Sequence, residues 1–101
     1  MRVGAGRIVL DFFNNDKASV KHRKLEELCA ELRHKFNVSC LEVDDFDDPE
    51  RCVIGFAAVI PEDWKDLSVD SFIRKICDTI DSTAVARVMV EDTEILILGH
   101  E

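Results

Sequence analysis

The chain lacks the residue patterns that indicate a metal, a cofactor or a membrane. Its four cysteines are widely spaced and form no C-x-x-C pair, which argues against zinc ligation and against a redox motif. None of its apolar runs approaches membrane-spanning length, and its first residues lack the long apolar region of a signal peptide. We therefore expect a soluble cytoplasmic protein with free thiols, no metal, no cofactor and no membrane association.

Motifs for nucleotides, RNA and catalysis are also missing. The G-A-G at residues 4–6 lacks the third glycine of a dinucleotide fingerprint and precedes a strand instead of following one. The chain has no tyrosine, so the aromatic platform of an RNA-recognition sheet is not expected. No serine or cysteine nucleophile stands in a recognisable setting with His34 or His100. Glu91 and Glu94 are typical of solvated acids, and the pattern does not indicate an enzyme.

What the chain does contain is enough apolar material for one core, together with a strongly acidic charge. Its 101 residues are 47% hydrophobic, and this length is typical of a single domain, residues 1–101. The 21 Asp and Glu residues outnumber 13 Lys and Arg, which gives a formal charge of -8. This charge favours solubility and opposes indiscriminate binding to nucleic acid, so no DNA binding is expected. A local basic patch is compatible with it.

Hydrophobic periodicity predicts four strands and two helices. The third strand is apolar on both faces, which indicates a central place in the sheet. In the second strand, Leu41 and Val43 are predicted to face the core. Acidic residues 91–94 are predicted to interrupt the last strand, before an apolar tail at residues 95–101 that lies outside a domain core of residues 3–94. The predicted strands are residues 7–13, 38–43, 52–60 and 85–90, and the predicted helices are residues 19–35, with Ser19 as N-cap, and 68–81.

This βαββαβ order predicts an α+β fold, a two-layer ferredoxin-like sandwich. Right-handed crossovers favour an antiparallel sheet in the order 4-1-3-2 with both helices on one face. The second strand then becomes an edge of the sheet. The fold hosts many functions and implies none by itself.

The start of the first helix carries positive charge where the helix dipole disfavours it, by roughly 0.3 to 1 kcal/mol for each unscreened cation. One interpretation is an anion site, in which free backbone N–H groups and these side chains hold a phosphate or an RNA backbone. The other is mutual neutralisation with the acidic turn at residues 44–50, which lies at the same end of the sheet. That turn lacks the glycine and terminal glutamate of a calcium loop, so no metal site is predicted. The candidate anion-binding residues are Lys17, Ser19, Lys21, His22, Arg23 and Lys24.

The sheet face that the helices leave open is predicted to be largely apolar. Such a face usually meets a partner or a second copy of the chain. A misjudged strand register is the alternative, since it would return some of these residues to the core. The apolar tail could pair with another chain or fold back in a hairpin. The candidate partner-face residues are Val9, Phe13, Val53, Ala57, Val59 and Met89.

Several short motifs resemble one bacterial family. The S-V-K-H-R-K at residues 19–24 is similar to an S-L-K-x-K-R helix start, and the F-N-V-S at residues 36–39 is followed by E-V-D at 42–44. Arg51 with the I-G at residues 54–55 and the acidic residues 91–94 complete the pattern. On these motifs the chain resembles the YlxP-like family (domain of unknown function five-hundred-and-three).

The resemblance implies a ferredoxin-like fold, a bacterial cytoplasmic protein and a gene near translation genes, including that for ribosome-binding factor A. Val20 stands where the family has leucine, and Arg23-Lys24 replaces Lys-Arg with the charge kept. The leading hypothesis is a non-enzymatic binding protein that engages the ribosome or RNA through the basic helix start. The alternative hypothesis is a homodimeric interaction module that uses the open sheet face and binds no nucleic acid.

Overall fold

The structure, a computed structural model, describes residues 1–99, apart from the side chains of residues 66 and 67. The strands are antiparallel and lie in the order β2-β3-β1-β4, which is the predicted order 4-1-3-2 counted from the other edge. Both the βαββαβ order and the central place of β3 are confirmed. The elements are β1 (Arg2–Asp11), α1 (Ala18–Phe36), β2 (Ser39–Asp44), β3 (Arg51–Ile60), α2 (Asp66–Ser82) and β4 (Arg87–Ile97).

The core lies between the sheet and the two helices, which share one face. Ile8, Leu10 and Phe12 alternate toward the helices and are fully buried, as predicted. Burying a large apolar side chain contributes roughly 1.5 to 3 kcal/mol, so this alternation sets the register of β1 firmly. The helices cover the face with Leu25, Leu28, Cys29 and Leu32 of α1 and with Val69, Ile73, Ile76 and Ile80 of α2.

Helix α1 begins without a side-chain cap. Its N-cap is Lys17, in extended conformation, so the prediction of Ser19 as N-cap is wrong and Ser19 lies in the first turn. The Asn15 side chain donates to the Lys17 carbonyl at 2.8 Å and holds that conformation. At the other end, Asn37 adopts the left-handed region, and its N–H bonds to the Arg33 carbonyl at 3.1 Å.

The two faces of strand β2 are the reverse of those predicted. Leu41 is 62% exposed and pairs opposite Gly55 on the open face, and Val43 is exposed beside it. Cys40 is buried toward the helices, and Glu42 lies on the same side. The prediction that Leu41 and Val43 face the core is therefore wrong, because the inner side of this strand holds a cysteine and a carboxylate.

Strand β4 is longer than predicted and has no interruption at its acids. Glu91 pairs with Ile8, and pairing continues to Ile97 opposite Arg2, so the predicted break and the separate tail are both wrong as far as residue 97. Edge position explains this, because acidic side chains on an edge strand remain in water. Residues 100 and 101 of the predicted tail lie outside the described residues.

Strand β1 also starts earlier than predicted, at Arg2 instead of residue 7. The glycines among its first residues hide the apolar alternation. Gly6 is required where it stands, since a Cβ there would collide with the Asp92 carbonyl oxygen of β4. Close approach of the two backbones explains this glycine.

Candidate functional site

Lys21, at the centre of the predicted anion site, is fully buried. Its ammonium group donates to three backbone carbonyls, those of Asp45 at 2.6 Å, Arg51 at 3.0 Å and Phe46 at 3.3 Å. These carbonyls belong to the loop between β2 and β3 and to the first residue of β3. Lys21 therefore fastens α1 to the β2–β3 loop (residues 45–50), and its charge does not face solvent.

Glu42 supplies the opposite charge for this buried cation. Its Oε2 lies 3.1 Å from the Lys21 Nζ, while no described group makes an aligned hydrogen bond to that oxygen. The Nζ protons are taken by the loop carbonyls, so the contact with Glu42 is mainly electrostatic. His22 lies beside the pair, with Nε2 2.8 Å from the Phe46 carbonyl oxygen and 3.4 Å from Glu42 Oε1. The predicted charge pairing named the acids of residues 44–50, whereas the ion pairs of Lys21 and His22 are made with Glu42 of β2, which precedes that turn.

The other predicted cations stay at the surface. Lys17 and Arg23 are exposed and Lys24 is half-buried, and within the described part of the chain none forms an ion pair with the acidic loop. Helix α1 has no acidic residue in its first turn. Of the predicted anion-binding residues, Lys21 is therefore buried and cannot contact a ligand in solvent. The others lie at the start of α1 with some solvent exposure: Lys17, Ser19, His22, Arg23 and Lys24.

The Asp48 side chain stabilises the acidic β2–β3 loop by accepting backbone hydrogen bonds within it. Its Oδ1 accepts the backbone N–H groups of Glu50 and Arg51, both at 2.9 Å. These two hydrogen bonds, that from Arg51 first, hold the pKa of Asp48 below its ordinary value. The carboxylate thus closes the turn that leads into β3.

The open face of the sheet is the surface opposite the helices. Cross-strand pairing places Val9 beside Val53, Ala5 beside Ala57 and Val3 beside Val59. Val59 is 69% exposed, whereas Val53 is only 8% exposed although it lies on this face. Of the predicted partner-face residues, Val9, Val53, Ala57 and Val59 are therefore on the open face.

Two predicted partner-face residues occupy irregular positions. Phe13 follows the end of β1, is exposed and lies with its ring centroid 5.6 Å from the Arg87 guanidinium. Met89 lies at the register shift of β4, which brings Val90 opposite Val9. The prediction missed the open-face residues Leu41, Val43, Val90 and Leu96, and the reversed faces of β2 account for the first two.

The described residues contain no group of three or more His, Cys, Asp or Glu side chains that could hold a metal ion. Neither helix of the described chain is long and apolar enough to cross a membrane. Five depressions in the described surface have volumes of about 140 to 380 Å³, and the one between α1 and β2, about 250 Å³, is lined by both Cys29 and Cys40.

A family model described as "Protein of unknown function (DUF503)" matches residues 5–94. The chain belongs to this family. The family match runs from β1 into β4 and takes in the helix start with Lys21, the strand with Glu42 and all the candidate residues from Val9 to Met89. No curated protein matches the chain. Membership in the family thus agrees with the resemblance drawn from the sequence and adds no activity.

Proposed function

We propose that the protein is a non-enzymatic interaction module whose open sheet face packs against the same face of a second copy. The observation that carries the proposal is the exposure of large apolar side chains across that face. Leu41 and Val43 of β2, Val59 of β3, and Val90 and Leu96 of β4 are all 42% or more exposed. A monomer gains nothing from apolar side chains in water, whereas packing two such faces removes them from it.

Charge on this face favours a second copy as the occupant. The whole chain carries a formal charge of -8, which repels another copy over most of the surface. The open face, however, carries Arg7, Arg51 and Arg87 together with the acids Asp11, Asp44, Asp92 and Glu94, three cations against four anions. A face with nearly equal numbers of both signs can pair with its own two-fold image, arginine to acid.

Sedimentation equilibrium tests this association. We expect the unmodified chain to dimerise at micromolar concentration and the Leu41→Lys/Val59→Lys variant to be a monomer, because each lysine would be buried without a partner. Ala30→Lys/Ser71→Lys is the matched control, since it adds the same charge to exposed positions of the two helices. The dimer proposal fails if the unmodified chain stays monomeric at high micromolar concentration, or if the control dissociates as fully as the open-face variant.

A second candidate function is binding of RNA or the ribosome at the start of α1. It is favoured by the uncapped first turn, which has no acidic residue, beside the surface cations Lys17, Arg23 and Lys24. A helix start without a side-chain cap and nearby cations together suit a phosphate. The free thiols of all four cysteines support the cytoplasm as the location for either function.

Co-sedimentation with purified ribosomal subunits tests the second candidate. We expect binding at low salt that weakens as salt rises, and that is lost in the Lys17→Glu/Arg23→Glu/Lys24→Glu variant. Lys35→Glu/Arg74→Glu/Lys75→Glu is the control, because it changes the net charge equally at positions away from the helix start. Equal loss of binding in both variants would show a general charge effect and reject the site.

A further inference from the structure

We propose that Cys29 and Cys40 form an oxidation site, at which a peroxide converts the two thiols into an intramolecular disulfide. The two residues come from neighbouring elements, α1 and β2. Their Sγ atoms lie 3.1 Å apart, and the Cys40 thiol donates a hydrogen bond to the Cys29 sulfur. A disulfide needs about 2.05 Å between sulfurs, so small side-chain rotations would bring them together.

A groove gives small molecules a route to this pair. Both cysteines are buried by the packing of α1 on β2, yet both line a surface groove of about 250 Å³. Its rim includes the exposed side chains of Glu26, Arg33 and Leu41. Hydrogen peroxide is close to water in size, so this groove has room for it.

The surroundings assign different roles to the two sulfurs. The hydrogen bond from Cys40 lowers the pKa of the Cys29 thiol, and the Arg33 guanidinium acts in the same direction. The same hydrogen bond raises the pKa of Cys40, which therefore keeps its proton. Arg33 is held in place by donation from Nη1 to the Cys40 carbonyl at 2.8 Å. Burial and the Glu42 carboxylate act against this lowering without cancelling it, so Cys29 is the more readily deprotonated sulfur and attacks first, and Cys40 is the thiol that resolves the product.

The remaining cysteines lack these features. Burial raises the pKa of Cys52 to about 12 and that of Cys77 to about 11. Both therefore stay protonated at neutral pH and react slowly. The chain thereby contains its own unreactive controls for the pair.

The reaction balances with peroxide as the only oxidant. The Cys29 thiolate attacks one peroxide oxygen, the O–O bond breaks, and the other oxygen leaves as hydroxide, so that Cys29 becomes a sulfenic acid. The Cys40 sulfur then attacks the Cys29 sulfur, the S–O bond breaks, and the departing hydroxide takes the Cys40 proton to form water. Two thiols lose two electrons in all, and the peroxide is reduced to water.

Peptide mapping after brief treatment of the folded protein with hydrogen peroxide tests the site. Trypsin cuts at Arg33 and Lys35, so the two cysteines fall in separate peptides unless a disulfide joins them. We expect the joined peptide pair, reversed by dithiothreitol, and a Cys29 reaction at least about ten-fold faster than that of Cys77. The proposal is overturned if Cys77 reacts first, or if the joined pair forms only after the protein is unfolded in urea.

Single substitutions separate the two roles. In Cys40→Ser, whose hydroxyl can still donate to the Cys29 sulfur, we expect a sulfenic acid to accumulate at Cys29, where dimedone traps it, because the resolving thiol is gone. In Cys29→Ser, whose oxygen can still accept from the Cys40 thiol, we expect Cys40 to remain unmodified, and Cys52→Ala should form the disulfide as the unmodified chain does. Circular dichroism of each variant verifies the fold. Trapping of Cys40 in Cys29→Ser at the rate of Cys29 in Cys40→Ser would contradict the assignment.

Discussion

Lys21 has a structural role, because its charged group contacts other parts of the fold and not the solvent. Its stem passes through the packing between α1 and the sheet, and its ammonium group replaces water with three carbonyls and the Glu42 carboxylate. A buried charge is tolerated only with such a set of partners. Lys21 thus holds the β2–β3 loop over the helix start, together with His22 at the Phe46 carbonyl and Asn15, which donates to the Pro49 carbonyl.

Replacing Lys21 by methionine should destabilise the fold strongly. Methionine keeps the stem but leaves Glu42, only 13% exposed, and the loop carbonyls without their cation. We expect a loss of about 3 to 5 kcal/mol in the free energy of unfolding, measured by urea denaturation. Arg23→Met, at an exposed position two residues further along α1, should change it by no more than about 0.5 kcal/mol.

A double-mutant cycle separates the ion pair from the carbonyl bonds. Glu42→Gln removes the partner charge, so its cost should be smaller in the Lys21→Met background than in the unmodified chain. Additive costs would mean that Lys21 acts through the loop carbonyls alone. A loss below about 1 kcal/mol in Lys21→Met would contradict the structural role altogether.

At the scale of elements, the β2–β3 connection depends on a carboxylate that titrates in acid. The folded pKa of Asp48 lies below its unfolded value, because the folded carboxylate accepts two backbone N–H groups. Its contribution to stability is therefore fully present above the ordinary aspartate pKa of about 3.9 and is lost as the pH falls through the lower, folded value.

Asp48→Asn should remove this part of the pH dependence. Asparagine keeps an acceptor oxygen but no titrating charge, so the variant should be less stable than the unmodified chain at pH 7 and nearly equal to it in strong acid. Urea denaturation across the acid range measures the difference. Asp47→Asn, which accepts no hydrogen bond from the described residues, is the control. A difference that stays constant with pH would contradict the role of the carboxylate.

Helices and strands in which apolar residues recur with a clear period were predictable from the sequence. Those in which both faces carry similar residues were not. Helix α2 and the second half of β1 carry regular apolar stripes that only one burial pattern satisfies, and the apolar length of β3 indicates a central strand. Strand β2 has only six residues, so few positions decide which of its faces is buried. Leu41 and Val43 are apolar and lie on the same face, and hydrophobicity therefore assigned that face to the core instead of the face with Cys40. Lys21 pairs with Glu42 on the inner face of this strand. Because Lys21 is distant from β2 in the sequence, the local hydrophobic pattern of the strand does not predict this pairing.

At the scale of the whole molecule, the strand order could be predicted from the sequence. The position of the candidate site could be predicted as well, but the contacts of its residues could not. The order of elements and the handedness rule were sufficient for the sheet order, because few alternatives exist for βαββαβ. The basic helix start was located, but the burial of Lys21 depends on tertiary contacts. Four of the six predicted partner-face residues lie on the open face, but its exposed Leu41, Val43, Val90 and Leu96 were missed, and the function of the face stays a proposal.

The sheet order also has a consequence for the growing chain during synthesis. Strand β1 is central, yet its second neighbour, β4, is made after the other three strands and both helices. Once residue 60 is complete, β1 can pair with β3, but its other edge stays open until residue 97 follows. At about 5 to 20 residues per second this interval lasts roughly 2 to 7 seconds. For that time the nascent chain offers an apolar, unpaired strand to every chaperone and every neighbouring polypeptide.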